Sequence, residues 1–210
     1  MKVTVIGAGN MGSAFVKQLT RAGHQVSVAA RDGSKAAKVA AANPGARAVD
    51  VANSATDAEA VVLATGYADA ATALKAVGDL RGKVIVDITN PLTPDYMALT
   101  LGHSTSAAEE IAKAVPGAEI VKGFNTLFAQ VLAEGADFGK GQKASVFVAS
   151  DSVHAKQVAT TLARSMGFEV VDAGGLKNAR YLEPLAGLNV YLGYGAGHGT
   201  GIAPTWIRKA

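Results

Sequence analysis

The chain has 210 residues, of which 49% are apolar and 18% charged, enough to bury a core as one large domain or a domain with a small appendage. It has no cysteine, which excludes disulfides, thiolate nucleophiles and cysteine-based metal sites. The net charge of +3 is scattered, without a basic run interleaved with aromatics, so nucleic acid is not an expected partner and a small anionic ligand is acceptable.

The first element is the apolar run Val3, Thr4, Val5, Ile6, preceded by no charged leader. No apolar stretch reaches membrane-spanning length, so a cytoplasmic protein with no membrane partner is expected. The run leads straight into Gly7-Ala-Gly-Asn-Met-Gly12. Met11, Phe15, Leu19 and Ala22 then recur at helical spacing, Gly23 stops the helix, and residues 25–29 read as a second strand. Strand, glycine turn, helix and strand at this spacing form the βαβ unit of a dinucleotide-binding fold. Gly7 permits the tight turn, Gly9 lets a diphosphate approach the main chain, and Gly12 lets the helix lie close to the strand. Main-chain N–H groups and the positive end of the helix dipole then face the anion.

Further along, residues 34–42 read as a helix closed by Asn43-Pro-Gly45, and residues 46–49 as a short strand. Residues 60–65 are a buried strand, 68–77 a helix, and 84–87 a strand that ends in the turn Asn90 to Pro94. A helix over 106–115 and a strand over 119–122 follow. Strands over 145–149 and 169–172 flank a helix with Ala155, Ala159, Leu162 and Met166 on one face. A last helix spans about 179–192, with Pro184 as a kink or as its true start. Glycine at every second position from Gly193 to Gly201 reads as a surface loop rather than a lid. The fold class is therefore α/β: a Rossmann-type, doubly wound, mostly parallel sheet of about six to eight strands with a small C-terminal helical portion. Residues 1–150 are expected to form the nucleotide-binding part, with residues 151–210 completing the sheet and a second-substrate crevice in one compact unit.

The second strand runs out through Ala29 and Ala30 into Arg31-Asp-Gly-Ser-Lys35. Two cations and a hydroxyl there suit a 2′-phosphate, and hydrogen bonds to charged groups contribute about 1.5–3 kcal/mol each. Asp32 is the opposing signal, because a carboxylate ending this strand would select the unphosphorylated ribose. The alternation of Val26 and Val28 puts Asp32 just beyond the strand, so NADP(H) is the expected cofactor.

Three later segments are more specific: Asp87-Ile-Thr-Asn-Pro-Leu92, Lys122-Gly-Phe-Asn-Thr-Leu-Phe128 and Asp172-Ala-Gly-Gly-Leu-Lys-Asn-Ala-Arg180. With the glycine turn and Ala30-Arg31, they resemble the NADPH-dependent deazaflavin (coenzyme F420) reductase family, and are similar to the N-terminal oxidoreductase domain of the STEAP metalloreductases. The resemblance implies hydride transfer between NADP(H) and F420, or a flavin such as FMN or FAD. It implies that Gly7, Gly9, Asn10, Met11 and Gly12 hold the diphosphate and that Arg31 and Lys35 take the 2′-phosphate. Thr65 and Gly66 would line the cofactor edge, with Asn90, Pro91 and Leu92 near the nicotinamide. Phe124, Asn125, Thr126 and Leu127 would form the opposite wall, against the flavin-like substrate. Asn125 departs from a histidine found in archaeal members. A homodimer is expected by the same resemblance.

Such chemistry needs two rings held face to face in a dry crevice and no acid–base dyad, so no catalytic side chain and no metal ligand are assigned. The alternatives are reduction of a small imine or carbonyl compound, and a non-catalytic NADP(H)-binding redox module. The histidines lack metal-ligand spacing; His24 and His154 are read as surface residues, and His103 and His198 as the two that could enter the crevice. Asp87 and Asp172 are read as capping or turn residues, Glu109 and Glu110 as complements to a helix dipole, and Trp206 as an interface or core contact.

Overall fold

The computed structural model describes residues 1–207 and 209. The chain folds in the order β1 (Lys2–Ile6), α1 (Asn10–Arg21), β2 (Gln25–Ala29), α2 (Gly33–Ala41), β3 (Ala46–Ala48), β4 (Ala60–Leu63), α3 (Tyr67–Lys75), β5 (Val84–Asp87), α4 (Ala107–Ala114) and β6 (Glu119–Lys122). It continues with α5 (Ala129–Glu134), β7 (Asp137–Gly139), β8 (Gln142–Lys143), β9 (Ser145–Val148), α6 (Val153–Ser165), β10 (Glu169–Asp172), a 3-10 turn (Leu176–Asn178), α7 (Ala179–Val190) and a π-helical turn (Tyr191–Gly195).

The central sheet has the order β3-β2-β1-β4-β5-β6, with every pair parallel. Strand alternation serves two cores. Val3, Val5, Val28, Val62 and Val86 face Phe15 and Leu19 of α1 and Leu132 of α5. Ile6, Val61, Leu63 and Ile85 face Leu74 of α3 and Ile111 of α4. Both faces are covered, which is why β4 and β5 read as unbroken apolar runs. After β6 the edge is extended by the parallel pair β9–β10, joined through an antiparallel bridge in which Lys122 and Ala149 exchange main-chain hydrogen bonds of 2.9 and 3.0 Å. The sheet reverses its strand order between β1 and β4, and at such a switch point the carboxyl ends of the strands open into a ligand crevice. Among the described residues, no helix is long and apolar enough to cross a membrane.

Three features depart from the sequence reading. Helix α5 and the β7–β8 hairpin were not expected. Of the two readings of Pro184, the internal one holds and the start does not: it lies inside a helix that begins at Ala179, where it lacks the N–H of a helical bond and its ring crowds the preceding turn. The glycine-rich segment is not a surface loop throughout, because its first part is the π-helical turn and Gly193 is buried. A Cβ on Gly193 would come within 2.5 Å of the Phe128 ring, so close packing explains that glycine.

Candidate functional site

At the switch point, each glycine of the first turn answers a distinct steric demand. Gly7 has φ +114°, and a Cβ there would lie 2.3 Å from the Ala64 carbonyl oxygen. A Cβ on Gly12 would lie 1.9 Å from the carbonyl oxygen of Gly7. Gly9 is different, since a Cβ there would meet nothing within 4 Å. It is also the N-cap of α1, with no side chain capping the helix and no acidic residue in the first turn. The helix therefore presents unpaired N–H groups to open space, the arrangement that accepts an anion.

A cavity of about 760 Å³ lies over this turn and brings Gly7, Gly9, Asn10, Arg31 and Lys35 together. Asp32 also borders it, with one carboxylate oxygen, Oδ1, capping α2. It accepts from the Ser34 hydroxyl at 2.7 Å and from the Ser34 and Lys35 amides at 3.0 and 3.4 Å. The Ser34 hydroxyl, followed by those amides, holds the Asp32 carboxyl below its ordinary pKa. Since β2 ends at Ala29, Asp32 does stand beyond the strand, as the alternation implied. Arg31 is largely exposed and lies 3.7 Å from Asp69 in the first turn of α3, a loose pair that leaves it able to reorient.

Beside this cavity, the carboxyl ends of β4, β5 and β6 form a second, drier edge. Four buried oxygens there have no hydrogen-bond partner among the described residues: Thr65 Oγ1, Thr89 Oγ1, Asn125 Oδ1 and Thr126 Oγ1. Orphans of this kind are scarce in proteins, and these four cluster just past the ends of three adjacent strands. Asn90 and Asn125 face each other across the edge. Asn90 Nδ2 donates to the Asn125 carbonyl at 2.8 Å, and Asn125 Nδ2 donates to Asn90 Oδ1 at 2.9 Å and to the Leu182 carbonyl at 3.0 Å.

Residues 2–91 match the family model for the coenzyme F420-dependent NADP oxidoreductases. The F420-dependent NADP reductase of Methanothermobacter thermautotrophicus is 31% identical over 212 aligned positions, covering 91% of this chain and 89% of that protein. The chain belongs to the F420-dependent NADP reductase family. It has the Rossmann-type α/β fold of that family of NADP oxidoreductases. A crystal structure from Arthrobacter sp. FB24, assigned to the same reductases, superposes with a TM-score of 0.86 at 32% identity, over 99% of this chain and 100% of that one. Rat metalloreductase STEAP3 is 29% identical over 184 residues, 88% of this chain, and this chain spans about a third of it (36%).

Two residues expected on the substrate wall lie elsewhere. Phe124 has a left-handed φ of 60° and a fully buried ring, packed edge-on against Phe15 at 5.0 Å and Phe168 at 6.4 Å. Leu127 also sits in the core, so neither side chain faces the crevice. Asn125 and Thr126, between them, carry the free oxygens. Met11 packs against the core, which leaves its main chain toward the turn. Pro91 is buried, and its carbonyl is taken by the Thr100 amide at 2.7 Å and hydroxyl at 3.0 Å; Leu92 bridges to Leu99. Gly66 caps α3 beside Thr65. His103 and His198 are exposed, Trp206 is exposed with its ring edge-on to Phe147, and Asp172 pairs with Lys156 at 3.0 Å.

The sequence reading missed a buried ionic cluster. Lys122 and Asp87 end adjacent strands as register partners, and Lys122 Nζ lies 2.7 Å from Asp87 and 2.9 Å from Glu183 of α7. Asp87 does form the expected turn, accepting from the Thr89 amide at 2.8 Å, but its side chain is wholly buried. A signal existed: two buried strands that end in opposite charges at paired positions.

Proposed function

We propose that this protein exchanges a hydride between NADP(H) and the deazaflavin coenzyme F420. The observation that carries the reading is one juxtaposition: an acid-free helix N-terminus behind a Cβ-free face at Gly9, beside an edge with four unpaired buried oxygens. Both parts fit the group. The N–H groups of α1, reached past Gly9, would hold the diphosphate. Arg31 and Lys35 would take the 2′-phosphate, while Asp32, with one oxygen capping α2, stands beyond the end of β2. Thr65 and Asn90 would orient the nicotinamide, and Asn125 and Thr126 the acceptor ring, through amide and hydroxyl groups. When bound, the pair supplies its own chemistry, passing a hydride from one ring to the other. The side chains here therefore orient and exclude water, and the acceptor's ring nitrogen can take its proton from solvent.

The test is NADPH oxidation, followed by near-ultraviolet absorbance, with F420, FMN, FAD, riboflavin and a cyclic imine offered separately. Turnover with F420 and not with the imine is expected. Turnover with the imine and not with F420 would overturn the assignment of the acceptor, and tight NADPH binding without any turnover would point to a redox-sensing module.

A further inference from the structure

We propose that Asp87, Lys122 and Glu183 form a positioning element for the acceptor edge, a role that rests on the reading of that edge given above. Lys122 is fully buried, and its ammonium has three close oxygen partners, two ion-paired carboxylates and one hydrogen-bonded carbonyl. These are Asp87 Oδ2 at 2.7 Å, Glu183 Oε1 at 2.9 Å and the Thr89 carbonyl at 2.7 Å. The other Asp87 oxygen accepts from the Thr89 amide at 2.8 Å. Glu183 in turn accepts from the amides of Ala107 at 2.9 Å and Ala108 at 3.2 Å, the first turn of α4, where the helix dipole favours a carboxylate.

Burying three charges is a poor way to gain stability, since an apolar trio of similar volume commonly does as well or better. What the charges supply, and hydrocarbon cannot, is direction. Both main-chain groups of Thr89 are tied to the cluster, and the next residue is Asn90. Glu183 follows Leu182, whose carbonyl receives Asn125 Nδ2. The cluster thus runs into the Asn90–Asn125 pair from both sides, through the end of β5 and through α7. It consumes the main chain of Thr89 and leaves Thr89 Oγ1 and Asn125 Oδ1 unpaired, at fixed positions on the edge. None of the three charged residues is assigned contact with the reacting rings; they act through Thr89, Asn90 and Asn125.

Lys122→Met alone would strand two buried carboxylates and should lower the melting temperature sharply. The useful variants are therefore Asp87→Asn/Lys122→Met/Glu183→Gln, which keeps the volumes and removes the charges, and Glu183→Gln, which leaves Lys122 and Asp87 as a neutral pair. Each is assayed for NADPH affinity by fluorescence, for kcat and acceptor KM, and for hydrogen exchange at the Thr89 amide. The triple variant should bind NADPH within about threefold of the unmutated protein but lose about tenfold or more in kcat, because small displacements of orienting groups are costly. Glu183→Gln should show the same split more weakly, and it decides the matter if the triple variant does not fold. Thr89 amide exchange should accelerate in both. A folded variant with unaltered kcat, acceptor KM and Thr89 protection would overturn the proposal. If the unmutated protein turns over no acceptor, the acceptor reading fails by itself, and unchanged protection of Thr89 would still sink the positioning role.

Discussion

The cleft over α1 and the edge formed by β4, β5 and β6 lie side by side at the carboxyl ends of one sheet, yet they are built from different materials. The cleft uses main chain, glycines and exposed cations, all drawn from residues near the N-terminus. The edge uses buried side chains from three distant stretches, braced by an ion cluster. A diphosphate can be held by amides and mobile cations because its charge makes the geometry forgiving. In the proposed function two stacked rings would need fixed walls, and the edge is where the fold invests in buried polar order.

The sharpest way to break this contrast is at the glycines of the turn. Gly12→Ala forces a Cβ to 1.9 Å from a carbonyl oxygen and should cost about 3 kcal/mol or more in stability, read by denaturant unfolding. Gly9→Ala should leave the melting temperature unchanged and weaken NADPH binding only, because its Cβ meets nothing within 4 Å. A Gly9→Ala variant as unstable as Gly12→Ala would show that both glycines are there for packing.

Next in size, Arg31→Ala should weaken NADPH binding by about 1.5–3 kcal/mol, the worth of a hydrogen bond to a charged group, and leave NADH almost unaffected. Equal losses for the two would remove the phosphate clamp from the cleft. Asn125→Ala acts on the other region. It strips the partner from the Leu182 carbonyl and should cost about 1–3 kcal/mol in stability and raise the acceptor KM with NADPH affinity intact. A loss of NADPH affinity instead would mean that the two regions are not separable.

The smallest effect concerns the rim of the edge. Arg180 binds Glu109 through two hydrogen bonds of 2.7 and 2.8 Å, tying α7 to α4. This hydrogen bonding to Arg180, with the Ser106 hydroxyl second, depresses the Glu109 carboxyl pKa. A depressed carboxyl stabilises the fold above its unfolded value, near 4.3, and that stability is lost as pH falls through the folded value. Arg180→Ala should therefore lower stability slightly at neutral pH, read by denaturant unfolding, and converge with the unmutated protein well below pH 4. A difference that persists in acid would assign Arg180 to packing.

Much of the fold was legible. The bounds of β5, β6 and β10 agree with the sequence reading, because each is a short β-rich run with a charged end. Helix α5 was missed because six residues starting after Phe128 carry neither a side-chain cap nor a full amphipathic repeat. The β7–β8 hairpin was missed because its turn relies on Lys140 in a left-handed conformation (φ 53°) ahead of Gly141, and that lysine gives no turn signal. Phe124 was put on the substrate wall by the resemblance alone; its own φ is positive, and its ring turns into the core.

What the sequence by itself determined is the glycine turn ahead of α1 and the order of the elements of the central sheet, since both depend on patterns within a few consecutive residues. Tertiary structure alone decided which polar groups converge at the second edge. Asn90 meets Asn125 across 35 positions, and Lys122 meets Asp87 and Glu183 only once β5, β6 and α7 have packed. Burial makes such meetings specific, because a polar group taken out of water must find its partner wherever the chain has brought one.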